Sequence, residues 1–287
     1  MNEKYEFTGE TKQVFDDFLM GIKNTPGQYS IWRTIHRIRA KKDFGDVKKG
    51  DIGGWIENEE NLDSTGDCWV YDQSIVCEWA VVYGDAKIKG KAKVFGSARI
   101  YDSAIVQDSA IVFENAHINN HAIVRQNAKI YGDANVEGEV YGKAIISGHA
   151  DIFPPSKVFG NACVTGHAKA RIGASISGNA KVCDCAVIDF HAEVSGDVII
   201  GGDVYLGAGA KISRQNDFLH IGNFIINFGG RRSITIYRLD GDSLVFNVLY
   251  ARYGFLDKLN CEKCGISEEI KNMIIQLADS YIPKRIG

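Results

Sequence analysis

A six-residue period runs through the middle of this chain and limits what it can fold into. Val or Ile stands at 82, 88, 94, 100, 106, 112, 118, 124 and 130, and Ala at 86, 92, 98, 104, 110, 116, 122, 128 and 134. Six is neither the 3.6 period of a helix nor plain strand alternation. Ala86 and Ile88 are two residues apart, so both point to one side of a short strand, and Lys87 points to the other. Between strands, one slot holds Gly84, Gly90, Gly96, Asp102, Asp108, Asn120 and Gly132, residues that accept positive φ and make turns. Glu114 and Gln126 are its exceptions. Each hexad therefore reads as a very short strand plus a corner.

The pattern extends in both directions. Val70 and Val76 keep the phase upstream, with Ser74 and Ala80 as the small residues. Downstream, Val136 is followed by Val140, a step of four. A new phase then runs from Ile146 to Ile212, with small residues from Ala144 to Ala210. The count is about 25 hexads, or about eight coils of three. The expected fold is an all-β solenoid with a small α+β C-terminal domain. This texture resembles the hexapeptide-repeat proteins, whose fold is the left-handed parallel β-helix with triangular coils. The left hand, an exception to the usual crossover rule, is implied by that resemblance alone. Val or Ile fills such a prism, Ala fits beside it, and stacked coils bury a core that no single coil could bury. Residues 33–72, "RTIHRIRAKKDFGDVKKGDIGGWIENEENLDSTGDCWVYD", resemble the lead-in segment of an enterobacterial and phage branch of that superfamily, labelled transferases. The resemblance implies a fold and no particular substrate.

A solenoid needs capped ends. Residues 11–23, "TKQVFDDFLMGIK", place Val14, Phe15, Phe18, Leu19 and Ile22 on one helical face, and "YSIWRTIHRIRA" alternates like a strand. The expected layout is an N-terminal helix and strand cap over 1–63, the β-helix over 64–212 and an α+β domain over 213–287. In that last domain Asp240-Gly241 sits at a hairpin turn. A helix follows, with Ser267 as N-cap and Ile270, Met273, Ile274 and Leu277 as its buried stripe.

The resemblance implies one chemistry: acyl transfer by a histidine base, with an acyl-CoA-type donor lying between the prisms of a trimer beside an extruded loop. His149 and His167 are the candidates, one coil apart in the same hexad slot. A base needs an orienting carboxylate and a metal needs a third ligand. Asp151 is near in sequence, and no extruded loop interrupts the hexads. No metal or cofactor is expected otherwise, with CoA only under the acyl-transfer reading. Cys261 and Cys264 form a lone C-x-x-C, a weak zinc signal, and the seven cysteines read as reduced thiols.

Other residues point to binding. Phe95, Phe113 and Tyr131 lie one coil apart on an outward slot, as do Tyr83 and Tyr101. Such ladders suit an interface of a homo-oligomer, dimer or trimer, with covering by the N-terminal helix as the alternative. Gly229, Gly230, Arg231 and Arg232 could hold an anion. The formal charge of −3 gives no field for nucleic acid, and no apolar run approaches the roughly 20 residues of a membrane span. The charged opening "MNEKYEFTGE" reads as a cytoplasmic start, in the host cell if phage-encoded. The leading expectation is a non-catalytic oligomeric binding or scaffold solenoid of phage or prophage type. It would sequester a host protein or small anionic ligand through its C-terminal domain. An acyltransferase-like enzyme is the alternative.

Overall fold

A computed structural model describes residues 2–15, 31–207, 209–226, 230–239, 243–248, 252–255 and 268–281. The chain forms two compact units, 1–150 and 151–287. In the first, β1 (Tyr5–Phe15), β2 (Trp32–Ala40) and β3 (Ile52–Ile56) precede fourteen two-residue strands, β4 to β17, from Trp69–Val70 to Ile145–Ile146. Every third strand pairs in parallel, giving three sheets of a solenoid. Lys87 lies beside Ile105, and Ile105 beside Ile123, a register of 18 residues. Past the step of four the register falls to 16, with Ile123 beside Glu139 and Lys129 beside Ile145. The step shortens a coil and extrudes nothing.

Inside, the alanines and β-branched residues from Ala80 to Ile146 are fully buried. Ser74 takes an alanine slot because its hydroxyl donates to the carbonyls of Tyr71 and Ile88. The corners explain the two exceptions in the turn slot. Glu114 and Gln126 adopt positive φ beside Asp72, Asp102 and Asp108. Each of these side chains accepts the backbone N–H one coil further on. Asp108 takes that of Gln126 at 2.9 Å, Glu114 that of Gly132 at 2.8 Å, and Gln126 that of Gly142 at 2.8 Å. Where the slot holds Asp, Glu or Gln, its side chain supplies an acceptor as well as a turn former, pairing a corner N–H of the next coil.

The start of this unit departs from expectation. Residues 11–15, read above as the beginning of a helix, complete β1, with Thr11 opposite His36 and Phe15 opposite Trp32. The pairing buries Val14 with Ile35, Trp55 and Ile75, which overrides the weak helical pattern. Residues 16–23 lie outside the described residues. β2 is where the alternation placed it, and β3 joins the solenoid through Trp55 and Ile75. Lys4 is buried, its ammonium donating to the carbonyls of Asp63 and Thr65 at 3.2 Å each and lying over the Phe44 ring. A buried cation of this kind persists because its donors are satisfied.

In the second unit, eleven two-residue strands, β18 to β28, run from Asp151–Ile152 to Lys211–Ile212, again paired in parallel by threes. One corner row is built differently. Ile172 and Gly173 both have positive φ (41° and 78°), as do Phe190 and His191 (45° and 59°). Ordinary corners send an N–H forward, as His167 does to the Asp184 carbonyl. Here it points back: His191 N–H donates to Ile172 O and Gly209 N–H to Phe190 O, both at 2.9 Å. Gly173 is required, since a Cβ there would lie 2.3 Å from the His191 ring. Ile172 and Phe190 are 45% and 44% exposed.

After the repeat, β29 (Phe218–Ile226), β30 (Gly230–Leu239), β31 (Ser243–Val248) and β32 (Arg252–Phe255) form an antiparallel sheet, followed by α1 (Glu268–Tyr281). The expected hairpin is β30 with β31, Leu239 opposite Ser243, while Asp240 and Gly241 lie outside the described residues. The sheet has two strands more than the sequence suggested. Of the stripe on α1, Ile274 is 2% exposed but Met273 is 60% exposed. One residue turns a helix by about 100°, enough to carry Met273 to solvent when Ile274 faces inward.

Candidate functional site

In the first unit, Asn115, Asp133 and His149 occupy one outward slot of three successive coils, 18 and then 16 residues apart. The Asn115 side-chain amide donates to one Asp133 oxygen at 3.0 Å. His149 Nδ1 lies 3.6 Å from the other, both side chains about half exposed. Asp133 is thus held from below while it faces the imidazole. The separation is an ion-pair distance, longer than a hydrogen bond. The carboxylate nearest His149 in this column is Asp133, two residues off the regular spacing, rather than Asp151. Asp151 instead pairs with Lys169 at 2.9 Å in the second unit. The signal was present in the sequence, but only the shortened coil makes 133 and 149 neighbours. His167 belongs to the second unit, where it is exposed at a corner and its backbone N–H donates to Asp184 O at 2.6 Å.

The aromatic columns form as the spacing suggested, with different surroundings. The Tyr83 and Tyr101 rings stack at 4.9 Å and 3°, and His117 stands edge-on to Tyr101 at 6.1 Å. Burial, then the neighbouring Arg99 charge, pushes the His117 pKa down. Burial pushes both tyrosine hydroxyls up. Phe95 stacks on Phe113 at 5.2 Å, and Phe113 on Tyr131 at 4.9 Å. Phe95, however, is only 4% exposed, packed in one cluster with Val14, Ile35, Trp55, Ile75, Cys77 and Ile111. It is no surface residue: β1, β2 and β3 cover the first rung, and Phe113 packs partly against the same cluster. Beside it, burial and then the charges of Lys12 and Lys129 lower the Lys93 pKa to about 8.

In the C-terminal sheet, Gly230, Arg231 and Arg232 lie in β30 opposite Ile226, Ile225 and Phe224. Their main chain is engaged in a ladder, which is not the open backbone nest an anion site would use. Gly229, Cys261 and Cys264 lie outside the described residues. Among the described residues, no group of three or more His, Cys, Asp or Glu side chains could hold a metal ion. No helix among them is long and apolar enough to cross a membrane.

No known family's sequence profile matches the chain. It is similar to an uncharacterized acetyltransferase, YdcK, of Escherichia coli (strain K12), with 42% identity over 55 residues. That likeness covers 19% of this chain and 17% of the E. coli protein, so the match spans less than a fifth of the relative's length. The repeat-built parallel solenoid and this partial likeness together fit the hexapeptide-repeat superfamily.

Proposed function

We propose that this chain transfers acyl groups, with His149 as general base. The observation that carries the reading is the Asn115–Asp133–His149 column, which supplies the orienting carboxylate that a histidine base needs. His149 would take the proton from an acceptor hydroxyl or amine as that group attacks the donor's thioester carbonyl. The departing thiolate would then receive a proton. Asp133 would hold the Nδ1 proton in place, and Asn115 would hold Asp133. An acyl-CoA-type donor follows from the superfamily resemblance, and the partial likeness to a protein named as an acetyltransferase supports it. An exposed base suits a site completed between prisms, so the working form would be a homo-oligomer, dimer or trimer, in the cytoplasm.

The test is acetyl-CoA consumption across a panel of hydroxyl and amine acceptors. His149→Ala should lower kcat/KM by about 10²–10⁴-fold, the usual worth of a general base. Asp133→Asn should lower it less and shift the pH profile. Absence of turnover together with no CoA-induced shift in melting temperature at millimolar CoA would overturn the reading.

A second reading is favoured by one observation. The described coils extrude no loop, while Ile172 and Phe190 are exposed at strained corners. Apolar side chains kept at such positions suit contact with a partner. This reading is a non-catalytic oligomeric binding or scaffold protein of phage or prophage type, sequestering a host protein or a small anionic ligand. Native mass spectrometry of freshly purified protein would then show a retained partner or ligand, and CoA would be inert. A clean apo mass with acetyl transfer in solution would exclude it.

A further inference from the structure

A cleft of about 600 Å³ opens near the start of the first unit, and neither reading above uses it. Its lining includes Tyr83, Val81 and Leu62, together with the carboxylate residues Glu59, Glu60 and Asp63. All of these belong to Tyr83's own coil or to the chain before it. Tyr101, which follows one coil later, stacks on the opposite side of Tyr83 and does not line the cleft. The stack covers one face of the Tyr83 ring, and the ring lines the cleft together with Asp63, which the Leu62–Val82 bridge sets beside it in the preceding coil.

The charged residues that line this cleft are acidic, while Arg99 sits one coil later beside Val81, its charge felt at the Tyr83 hydroxyl. Glu59 and Glu60 open a short 3-10 turn, Glu59–Asn61, and both are exposed. Asp63 is fixed in place, accepting the Thr65 backbone N–H at 3.0 Å and the Thr65 hydroxyl at 2.8 Å. Burial works to raise its pKa, but the two Thr65 hydrogen bonds and the Lys4 charge outweigh it, so Asp63 stays ionised. Among the described residues, no Lys or Arg lines the cleft. The Lys4 ammonium is buried and committed to the carbonyls of Asp63 and Thr65 and the Cys68 sulfur.

An aromatic ring at the end of a stack, apolar walls and a carboxylate rim select a ligand by shape as well as by charge. An ammonium is a compact, strongly hydrated point charge. A guanidinium is planar, sheds water more easily, stacks on aromatic faces and forks onto carboxylates. We propose that this cleft binds a guanidinium group, laid on Tyr83 as the next layer of the Tyr101–Tyr83 stack and held by the Glu59, Glu60 and Asp63 carboxylates. The group could come from an arginine side chain of a protein or from free arginine, and the chemistry of recognition is the same.

The test is a titration of the full chain with Nα-acetyl-arginine amide, followed by NMR shifts and by calorimetry. Saturable binding that weakens with salt is expected. The uncharged citrulline analogue should not bind, and the lysine analogue should bind about tenfold more weakly. Tyr83→Phe should retain binding, whereas Tyr83→Ala should weaken it about tenfold. Because Tyr83→Ala also removes half of a ring stack, the surface pair Glu59→Gln with Glu60→Gln provides an independent arm with the same expected loss. Tighter binding of a capped Ala-Arg-Ala peptide than of free arginine would assign the source to a protein side chain, and the reverse order to the free amino acid. Equal binding of the citrulline and arginine analogues, or no saturation with the wild-type chain, would overturn the proposal.

Discussion

The corners of the first unit and the row at Ile172 and Phe190 in the second meet one demand in opposite ways. Each corner at positive φ presents peptide groups that a straight ladder would have paired. In the first unit, wherever the corner one coil below holds Asp, Glu or Gln, its side chain is the acceptor, as with Asp108, Glu114 and Gln126. Those residues are polar, and Asp is among the types that visit positive φ at little cost. At Ile172 and Phe190 the peptide itself is turned back, so His191 and Gly209 find backbone acceptors in the preceding coil. The Phe190 N–H goes to the buried carboxylate of Asp189, which also accepts the Tyr205 hydroxyl. The acceptor is then supplied from a buried position, not from the outward turn slot one coil below, and that outward slot is released for apolar side chains. The release is strained, because a β-branched or aromatic residue at positive φ costs about 1–3 kcal/mol. One kind of corner is optimised for the coil, and the other keeps a residue that the coil alone would not choose.

Substitutions at four positions probe that contrast. Gly96→Ala should have the largest effect. Its φ is 69° and a Cβ would meet Glu114 N at 2.6 Å, so loss of about 3 kcal/mol or more in urea unfolding is expected. A loss under 1 kcal/mol would mean the first-unit corners yield more readily than their ladders suggest. Asp189→Ala should cost about 1–2 kcal/mol by removing the acceptor of the half-buried Tyr205 hydroxyl and of the Phe190 N–H. If Asp189→Ala melts like wild type, the reversed corner does not depend on its carboxylate. Ile172→Gly should do the opposite and stabilise the chain by about 1 kcal/mol through relief of strain, measured as a higher melting temperature. Destabilisation there would show that the side chain packs productively and that the corner is not strained. Glu114→Ala should cost about 1 kcal/mol through the Gly132 N–H, with Glu114→Gln near neutral. Equal loss from both would point to charge and not to the acceptor.

The repeat was legible because its cause is local and recurs. Each Ala and Val or Ile must fit the same narrow interior, so every coil restates the pattern, and the strands of both units fall where the hexads put them. The two odd corner residues became intelligible only through their long-range acceptors, since a hexad read alone cannot show an N–H one coil away. Helix periodicity misled at residues 11–15 because Val14 satisfies a helical stripe and a strand face equally, and pairing with β2 settled it. Phe95 misled for a related reason. Its slot faces out of the prism, but outside the prism does not mean in solvent when β1 to β3 lie over it.

By itself the sequence determined the solenoid, its coil length, the interior residues and the places where corners fall, because those depend on a period of six and on side-chain size. Only the tertiary structure decided which outward residues stay accessible, which corner runs backward, and that Asp133 faces His149 across a coil shortened to 16 residues. Those are relations between coils and between the repeat and its cap. They turn on register and coverage, which side chains of one coil do not encode.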